Sequence, residues 1–139
     1  MEPKSFLYEE KDGVGTITLN RPERYNALTF EVYAELGAFF KHLNERESCR
    51  VVIITGAGKA FCSGGDVEDI IGELFSRDMK GLLDFTRMTV DLIRSIRGCR
   101  KPVIAALNGT VCGAGAAIAL ASDFRIGNDY AKCAFLFTK

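Results

Sequence analysis

The spacing of hydrophobic residues changes within the first third of the chain. Gly15–Leu19 alternates polar and apolar side chains, which predicts a half-buried strand that ends at Asn20-Arg21-Pro22. Beyond Thr29, a candidate N-cap, apolar residues recur at helical spacing: Val32, Leu36, Phe39, Phe40 and Leu43. A helix with one buried stripe is therefore predicted. His42 lies beside this stripe with no nucleophile and acid arranged around it, so we interpret it as a surface or hydrogen-bonded helix residue.

Two later segments are apolar at successive positions rather than alternate ones. Val51–Thr55 and Val103–Leu107 are typical of parallel strands that are covered on both faces. Between them, a helix is predicted from just after Gly81 to about Gly98, with a loop over residues 68–80 before it. Its apolar positions are Leu82, Leu83, Met88, Leu92, Ile93 and Ile96. Parallel strands joined by a crossover helix define an α/β fold.

A glycine-dense turn follows each of these two strands. The first glycine turn is Ala60–Asp66 and the second glycine turn is Asn108–Gly115. Glycine lets the backbone approach a ligand and direct peptide N–H groups at it, so two such turns could hold one carbonyl oxygen from two sides. A helix of small residues, Ala114–Ala121, is predicted after the second turn, and its N-terminus favours an anionic oxygen.

The C-terminal segment holds a short predicted strand, Phe124–Gly127, and a last apolar piece, Ala134–Phe137. Ending on such a piece would leave a hydrophobic edge uncovered. We therefore expect the 139 residues to be part of a longer chain.

Composition excludes several classes of partner. The chain has 47% hydrophobic residues and 18 basic against 18 acidic side chains, which fits one domain or part of one. The charges are mixed along the chain, so neither nucleic acid nor a membrane surface is an expected partner. The N-terminus lacks an apolar signal segment, and the expected location is cytoplasmic.

The cysteines argue against a disulfide framework and against a metal site. They are Cys49, Cys62, Cys99, Cys112 and Cys133, an odd number without a Cys-x-x-Cys pair. With a single histidine in the sequence, no bound metal is expected. Two of the cysteines lie in the glycine turns, where a thiol near a helix N-terminus could be a nucleophile, but we interpret both as small packing residues.

Nucleotide binding is an alternative that the glycines only partly satisfy. Gly56-Ala57-Gly58-Lys59 follows a strand, but Phe61 occupies the position of the third glycine of a dinucleotide fingerprint. A phosphate-binding loop would need Ser or Thr after Lys59, where Ala60 stands. Ser63 also lacks the Gly-x-Ser-x-Gly frame of serine hydrolases. A nucleotide-binding domain stays open as a distant alternative.

Several segments together resemble the enoyl-CoA hydratase/isomerase family, the crotonase superfamily. They are Asn20-Arg21-Pro22, Asn26-Ala27-Leu28, residues 58–66, residues 101–109, Gly113-Ala114-Gly115 and Ser122-Asp123. The resemblance implies that residues 1–139 form a crotonase-like (ClpP/crotonase) N-terminal domain, a spiral of ββα units. It also implies that such proteins run to roughly twice this length, with a C-terminal helical part that builds trimers or hexamers.

The resemblance further implies an acyl-CoA thioester as substrate, with no cofactor beyond the coenzyme A that the substrate carries. The backbone N–H groups of Gly65 and Ala114 would form an oxyanion hole for the thioester carbonyl, where developing negative charge is stabilised. The remaining residues implied to bind substrate or coenzyme A are Arg24, Tyr25, Ala27, Ser63, Asp66, Val67 and Gly113.

The two positions where the resemblance implies catalytic glutamates carry none. Ala117 stands at the first and, by counting from Phe135, Lys139 at the second. Asp66, Glu68 and Asp69 lie near the first glycine turn, but we interpret them as helix caps or solvated charges rather than as a base. Two hypotheses follow, an acyl-CoA enzyme of the hydratase or isomerase type and an acyl-CoA-binding relative without catalysis.

Overall fold

The computed structural model describes residues 1–137, and its elements repeat in the order strand, strand, helix. The strands are β1 (Phe6–Lys11), β2 (Val14–Leu19), β3 (Val51–Gly56), β4 (Ala60–Cys62), β5 (Val103–Leu107), β6 (Thr110–Cys112), β7 (Phe124–Gly127) and β8 (Cys133–Ala134). The helices are α1 (Phe30–Glu45), α2 (Met79–Arg97) and α3 (Ala114–Ala121), with a 3-10 helix at Pro22–Arg24 and a π-helix at Val67–Gly72. Three successive ββα units confirm the predicted α/β spiral.

The strands form two sheets, and the chain passes from one sheet to the other within each later ββα unit. The larger sheet has the order β1-β2-β3-β5-β7, in which β1 pairs antiparallel with β2 and the other pairs are parallel. The smaller sheet has the order β4-β6-β8 and is parallel. The first strand of each later unit therefore joins the large sheet, and the second strand joins the small one.

Helix α1 covers the large sheet with the stripe that the sequence predicted. Thr29 caps the helix by accepting a hydrogen bond from the Val32 N–H at 3.4 Å. All five predicted stripe residues are buried, and Leu36, Phe40 and Leu43 are fully so. The Phe39 ring also meets the rings of Phe6 and Tyr8 edge-on, with centroids 5.3 and 4.8 Å apart, so α1 and β1 share two aromatic contacts.

The crossover before α2 differs from the predicted loop. Val67–Gly72 is a π-helix, and α2 begins at Met79 rather than after Gly81. Both starts are fixed by aspartates, because Asp66 accepts from the Glu68 and Asp69 N–H groups and Asp78 from the Gly81 N–H. Within the described residues, no helix combines the length and the apolar character that crossing a bilayer requires.

The strands also depart from the sequence prediction in two ways. Strand β1 was not predicted, because its sequence, FLYEEK, places two glutamates where a clean alternation would continue. Strands β3 and β5 are parallel neighbours as expected, but only alternate residues are fully buried, Val52 and Ile54 among them, and the other face is half-buried. The predicted strand Phe124–Gly127 is β7, whose residues are all exposed.

Candidate functional site

Pairing of β4 with β6 brings the two glycine turns side by side. The two strands run parallel with Cys62 opposite Val111, so the turns leave the small sheet at the same edge. Gly64 has a φ of +110° and Gly113 of +51°, values that favour glycine. A Cβ on Gly64 would lie 3.7 Å from the Ala114 nitrogen, which shows how closely the turns approach each other.

The peptide N–H groups of Gly65 and Ala114 are not used by the backbone of residues 1–137. Gly65 forms a bridge with Leu28, but this bridge uses the Gly64 carbonyl at 2.8 Å and the Asp66 N–H at 2.9 Å. Ala114 is the first residue of α3, where a helix has no preceding carbonyl for its N–H. Both groups are therefore available as donors to a ligand.

A cavity of about 690 Å³ opens beside these two residues, and we call it the two-turn cavity. Its walls come from both glycine turns, the π-helix, α2 and the start of α3, and they are mostly apolar. The lining residues are Tyr33, Ser63, Gly64, Gly65, Val67, Ile70, Ile71, Phe85, Thr89, Val90, Leu92, Ile93, Arg94, Cys112, Gly113, Ala114, Ala117, Ile118, Leu136 and Phe137. Six residues singled out from the sequence meet here: Ser63, Gly65, Val67, Gly113, Ala114 and Ala117.

Arg24, Tyr25, Ala27 and Asp66 do not line the two-turn cavity. Their segment is nevertheless joined to the first glycine turn, because the Ser63 N–H donates to the Tyr25 carbonyl at 3.0 Å. The Tyr25 side chain is 58% exposed, whereas Ala27 is buried. A ligand that contacts Arg24 and Tyr25 would therefore lie along the outer surface beside the cavity.

Asp66 is a fully buried carboxylate with every oxygen engaged. Its Oδ1 accepts a hydrogen bond from Arg24 Nη2 and its Oδ2 accepts one from Arg21 Nη1, each with an N–O distance of 3.1 Å. The hydrogen bond from Arg24 and those from the capped backbone N–H groups hold the pKa of Asp66 well below its usual range. The interpretation of Asp66 as a cap agrees with this geometry, while direct contact of its side chain with coenzyme A stays a prediction.

The two exposed acids beside it are also ion-paired. Glu68 lies 3.4 Å from Arg24 and Asp69 lies 3.6 Å from Arg21. Neither lines the two-turn cavity, in agreement with their interpretation as solvated charges rather than a base. Ala117 presents only a methyl group at the cavity wall, and Lys139 lies outside the described residues.

Cys62 is a packing residue, as expected, whereas Cys112 is half-buried and lines the two-turn cavity. The Cys62 side chain is fully buried, and burial raises the pKa of the Cys62 thiol to about 12, which removes the thiolate needed for nucleophilic attack.

The prediction for His42 was wrong in one respect. Its Nε2 is buried without a hydrogen-bond partner among residues 1–137, because α1 holds the ring against Phe39, with ring centroids 6.0 Å apart.

Sequence reasoning missed the residues that line the cavity from the helices, Tyr33, Ile70 and Phe85 among them. Tyr33 is adjacent to a stripe position of α1 and is itself buried, at 5% exposure. The sequence signal that could have identified Tyr33 is a tyrosine beside an apolar stripe, because the hydroxyl of a buried tyrosine needs a hydrogen-bond partner or a ligand.

Comparison with known proteins identifies the family. The sequence matches the Enoyl-CoA hydratase/isomerase family over residues 9–139. It is 38% identical over 139 residues to the 1,2-epoxyphenylacetyl-CoA isomerase of Escherichia coli (strain K12), covering 96% of this chain and 51% of that protein. It is 37% identical over 123 residues to the probable 3-hydroxyisobutyryl-CoA hydrolase 3 of Arabidopsis thaliana, covering 88% and 32%.

Solved structures agree with the sequence matches. The crystal structure of a provisionally named enoyl-CoA hydratase from Streptomyces coelicolor A3(2) superimposes with a TM-score of 0.95 at 50% identity. That superposition covers 99% of this chain and 50% of the other. The chain therefore belongs to the enoyl-CoA hydratase/isomerase family and has the crotonase fold. It spans about half the length of the E. coli and Streptomyces relatives and about a third of the Arabidopsis one.

Proposed function

We propose that the chain binds an acyl-CoA thioester with its carbonyl oxygen between the backbone N–H groups of Gly65 and Ala114. The two-turn cavity holds the acyl group, and the surface around Arg24 and Tyr25 holds the coenzyme A. The observation that carries this proposal is the pair of unused N–H donors at adjoining turns that line one cavity. Preorganised donors of this kind stabilise negative charge that develops on a thioester oxygen.

The reaction is proposed to be of the hydratase or isomerase type, in which a proton is moved beside the thioester. Relatives of this chain are named enoyl-CoA hydratase and 1,2-epoxyphenylacetyl-CoA isomerase. An acid or base must be supplied for such a step. Residues 1–137 place no carboxylate on the wall of the two-turn cavity, so a carboxylate that handles the proton would have to come from elsewhere in the active protein.

A second candidate is an acyl-CoA-binding relative that performs no chemistry. Ala117 favours it, because a methyl group lines the cavity where the family resemblance implies a glutamate. This candidate keeps the thioester affinity of the first but predicts no turnover of enoyl-CoA by a protein that has bound it. Measuring hydration or isomerisation at saturating enoyl-CoA separates the two.

The shared binding step is tested by deleting one N–H group. Ala114→Pro removes the donor at the first helical position, where proline is favoured and no helix hydrogen bond is lost. Ala114→Gly is the matched control, since it also replaces the methyl group but keeps the N–H. We expect Ala114→Pro to weaken butyryl-CoA binding about three- to tenfold in calorimetry, the usual value of one hydrogen bond.

Free coenzyme A completes this experiment. It lacks a thioester carbonyl, so both variants should bind it as the wild type does. Equal affinity of Ala114→Pro and Ala114→Gly for butyryl-CoA would refute the oxyanion-hole assignment. Loss of coenzyme A affinity in the proline variant alone would show that the substitution had distorted the turn.

A further inference from the structure

Tyr33 has a rigid position on the wall of the two-turn cavity. It belongs to α1 and reaches the cavity from the side of the first glycine turn. Its ring meets the Phe85 ring of α2 edge-on, with centroids 5.8 Å apart and planes at 89°. Only 5% of the residue is exposed, so helix packing fixes where the hydroxyl lies.

The hydroxyl lies next to Gly65. A Cβ placed on Gly65 would be 3.7 Å from Tyr33 Oη, so the hydroxyl and the Gly65 peptide border the same part of the cavity. Among residues 1–137 the Tyr33 hydroxyl makes no hydrogen bond. Tyr8 provides the contrast, since its hydroxyl donates to Glu10 at 2.8 Å. A hydroxyl on a buried residue that is accessible only from a cavity and has no protein partner is the arrangement expected for a ligand contact.

The hydroxyl also keeps its proton. Burial raises the pKa of Tyr33, with the nearby Cys62 adding to the effect, so the phenol is neutral throughout the physiological range. A neutral phenol has one O–H to donate. Gly65 and Ala114 supply backbone donors close by, and the most electron-rich ligand atom at this place would be the thioester oxygen.

We propose that Tyr33 is a third hydrogen-bond donor to the thioester carbonyl oxygen, in addition to the backbone N–H groups of Gly65 and Ala114. This inference rests on the proposed function, since it requires an acyl-CoA thioester in the two-turn cavity. It adds a side-chain donor to the site, which a substitution can remove without altering the backbone. The residue would contribute affinity for the carbonyl group and none for the coenzyme A moiety.

The test compares two ligands that differ only at the carbonyl. Butyryl-CoA has the thioester oxygen, and S-butyl-CoA, a thioether, has a methylene group in its place. In the wild-type chain we expect tighter calorimetric binding of butyryl-CoA. Tyr33→Phe should weaken butyryl-CoA binding about three- to tenfold and leave S-butyl-CoA binding unchanged. Tyr8→Phe is the matched control, because it removes a hydroxyl outside the cavity and should change neither affinity.

Each outcome has a distinct meaning. If the wild type binds both ligands equally, the proposed function fails. If it prefers butyryl-CoA and Tyr33→Phe keeps the same preference, only the role of Tyr33 is overturned. A measurement on the wild type avoids any folding defect of the variant: with ¹³Cζ-labelled tyrosine, one of the four tyrosine signals should shift with butyryl-CoA but not with S-butyl-CoA. No such differential shift would also overturn the proposal.

Discussion

Single glycines in the two turns serve different purposes. A Cβ on Gly109 would overlap the Lys59 carbonyl oxygen, so this glycine is required for the close approach of two backbone segments. Gly65 is different, because a Cβ there would meet Tyr33 Oη at 3.7 Å and the Ile70 Cγ2 at 3.9 Å, both ordinary contacts. One position is closed to side chains by packing, and the other stays open toward the cavity.

This difference predicts that alanine at Gly109 lowers stability, whereas alanine at Gly65 weakens ligand binding. Gly109→Ala should lower the free energy of unfolding by about 1–3 kcal/mol or more, because the backbone must move to admit the methyl group. Gly65→Ala should change it by less than about 1 kcal/mol but should weaken butyryl-CoA binding, because its methyl group enters the cavity beside the proposed carbonyl site. Urea unfolding and calorimetry measure the two quantities. The assignment fails if Gly65→Ala binds butyryl-CoA normally while remaining folded.

At the scale of secondary-structure elements, the sequence predicted what local spacing determines. Helix α1 was predicted from Thr29 onward because its cap and its stripe lie within one continuous segment. Strands β4 and β6 lie within segments that the sequence predicts only as turns, since three residues carry no periodicity and their partners are remote in sequence. The same reason explains why Gly65 and Ala114 could be proposed from motifs, whereas Tyr33 needed the packing of α1 against α2 to be noticed.

The first element missed, β1, carries an ion-paired carboxylate that makes its stability pH-dependent. Ser48, then the hydrogen bonds from Arg46 and Tyr8, lower the pKa of Glu10 from 4.5 to about 2. The folded state thus favours the carboxylate, and this contribution is fully present above pH 4.5 and lost as the pH falls through about 2. Glu10→Gln should therefore be less stable than the wild type at neutral pH, with the difference shrinking between these two values.

Glu9 offers the matched control for that measurement. It is the adjacent residue of β1, is exposed, and makes no ion pair within residues 1–137. Urea unfolding of Glu9→Gln over the same pH range should follow the wild type closely. A pH-independent difference for Glu10→Gln would mean that the carboxyl group titrates alike in both states, so the hydrogen bonds assigned to it would not favour its charged form.

At the scale of the whole molecule, the candidate site belongs to no single ββα unit. The first unit supplies Tyr33, the second supplies Gly65 and the walls from the π-helix and α2, and the third supplies Ala114 and Ala117. Parallel pairing of β4 with β6 aligns these contributions, so the site forms only when all three ββα units have folded together. Among residues 1–137 no carboxylate lines the cavity, and the effect of adding one can be tested.

Ala117→Glu places a carboxylate on the third residue after Ala114, at a position that lines the two-turn cavity. A cavity of about 690 Å³ can accept the longer side chain. We expect the variant to hydrate crotonyl-CoA at least about tenfold faster than the wild type, below the roughly 10²–10⁴-fold typical of a fully arranged general acid or base. Loss of the ultraviolet absorbance of the conjugated thioester measures the rate. Ala117→Gln has the same shape without the acid, so an equal gain in both variants, or none in either, would place the reacting carbons away from residue 117.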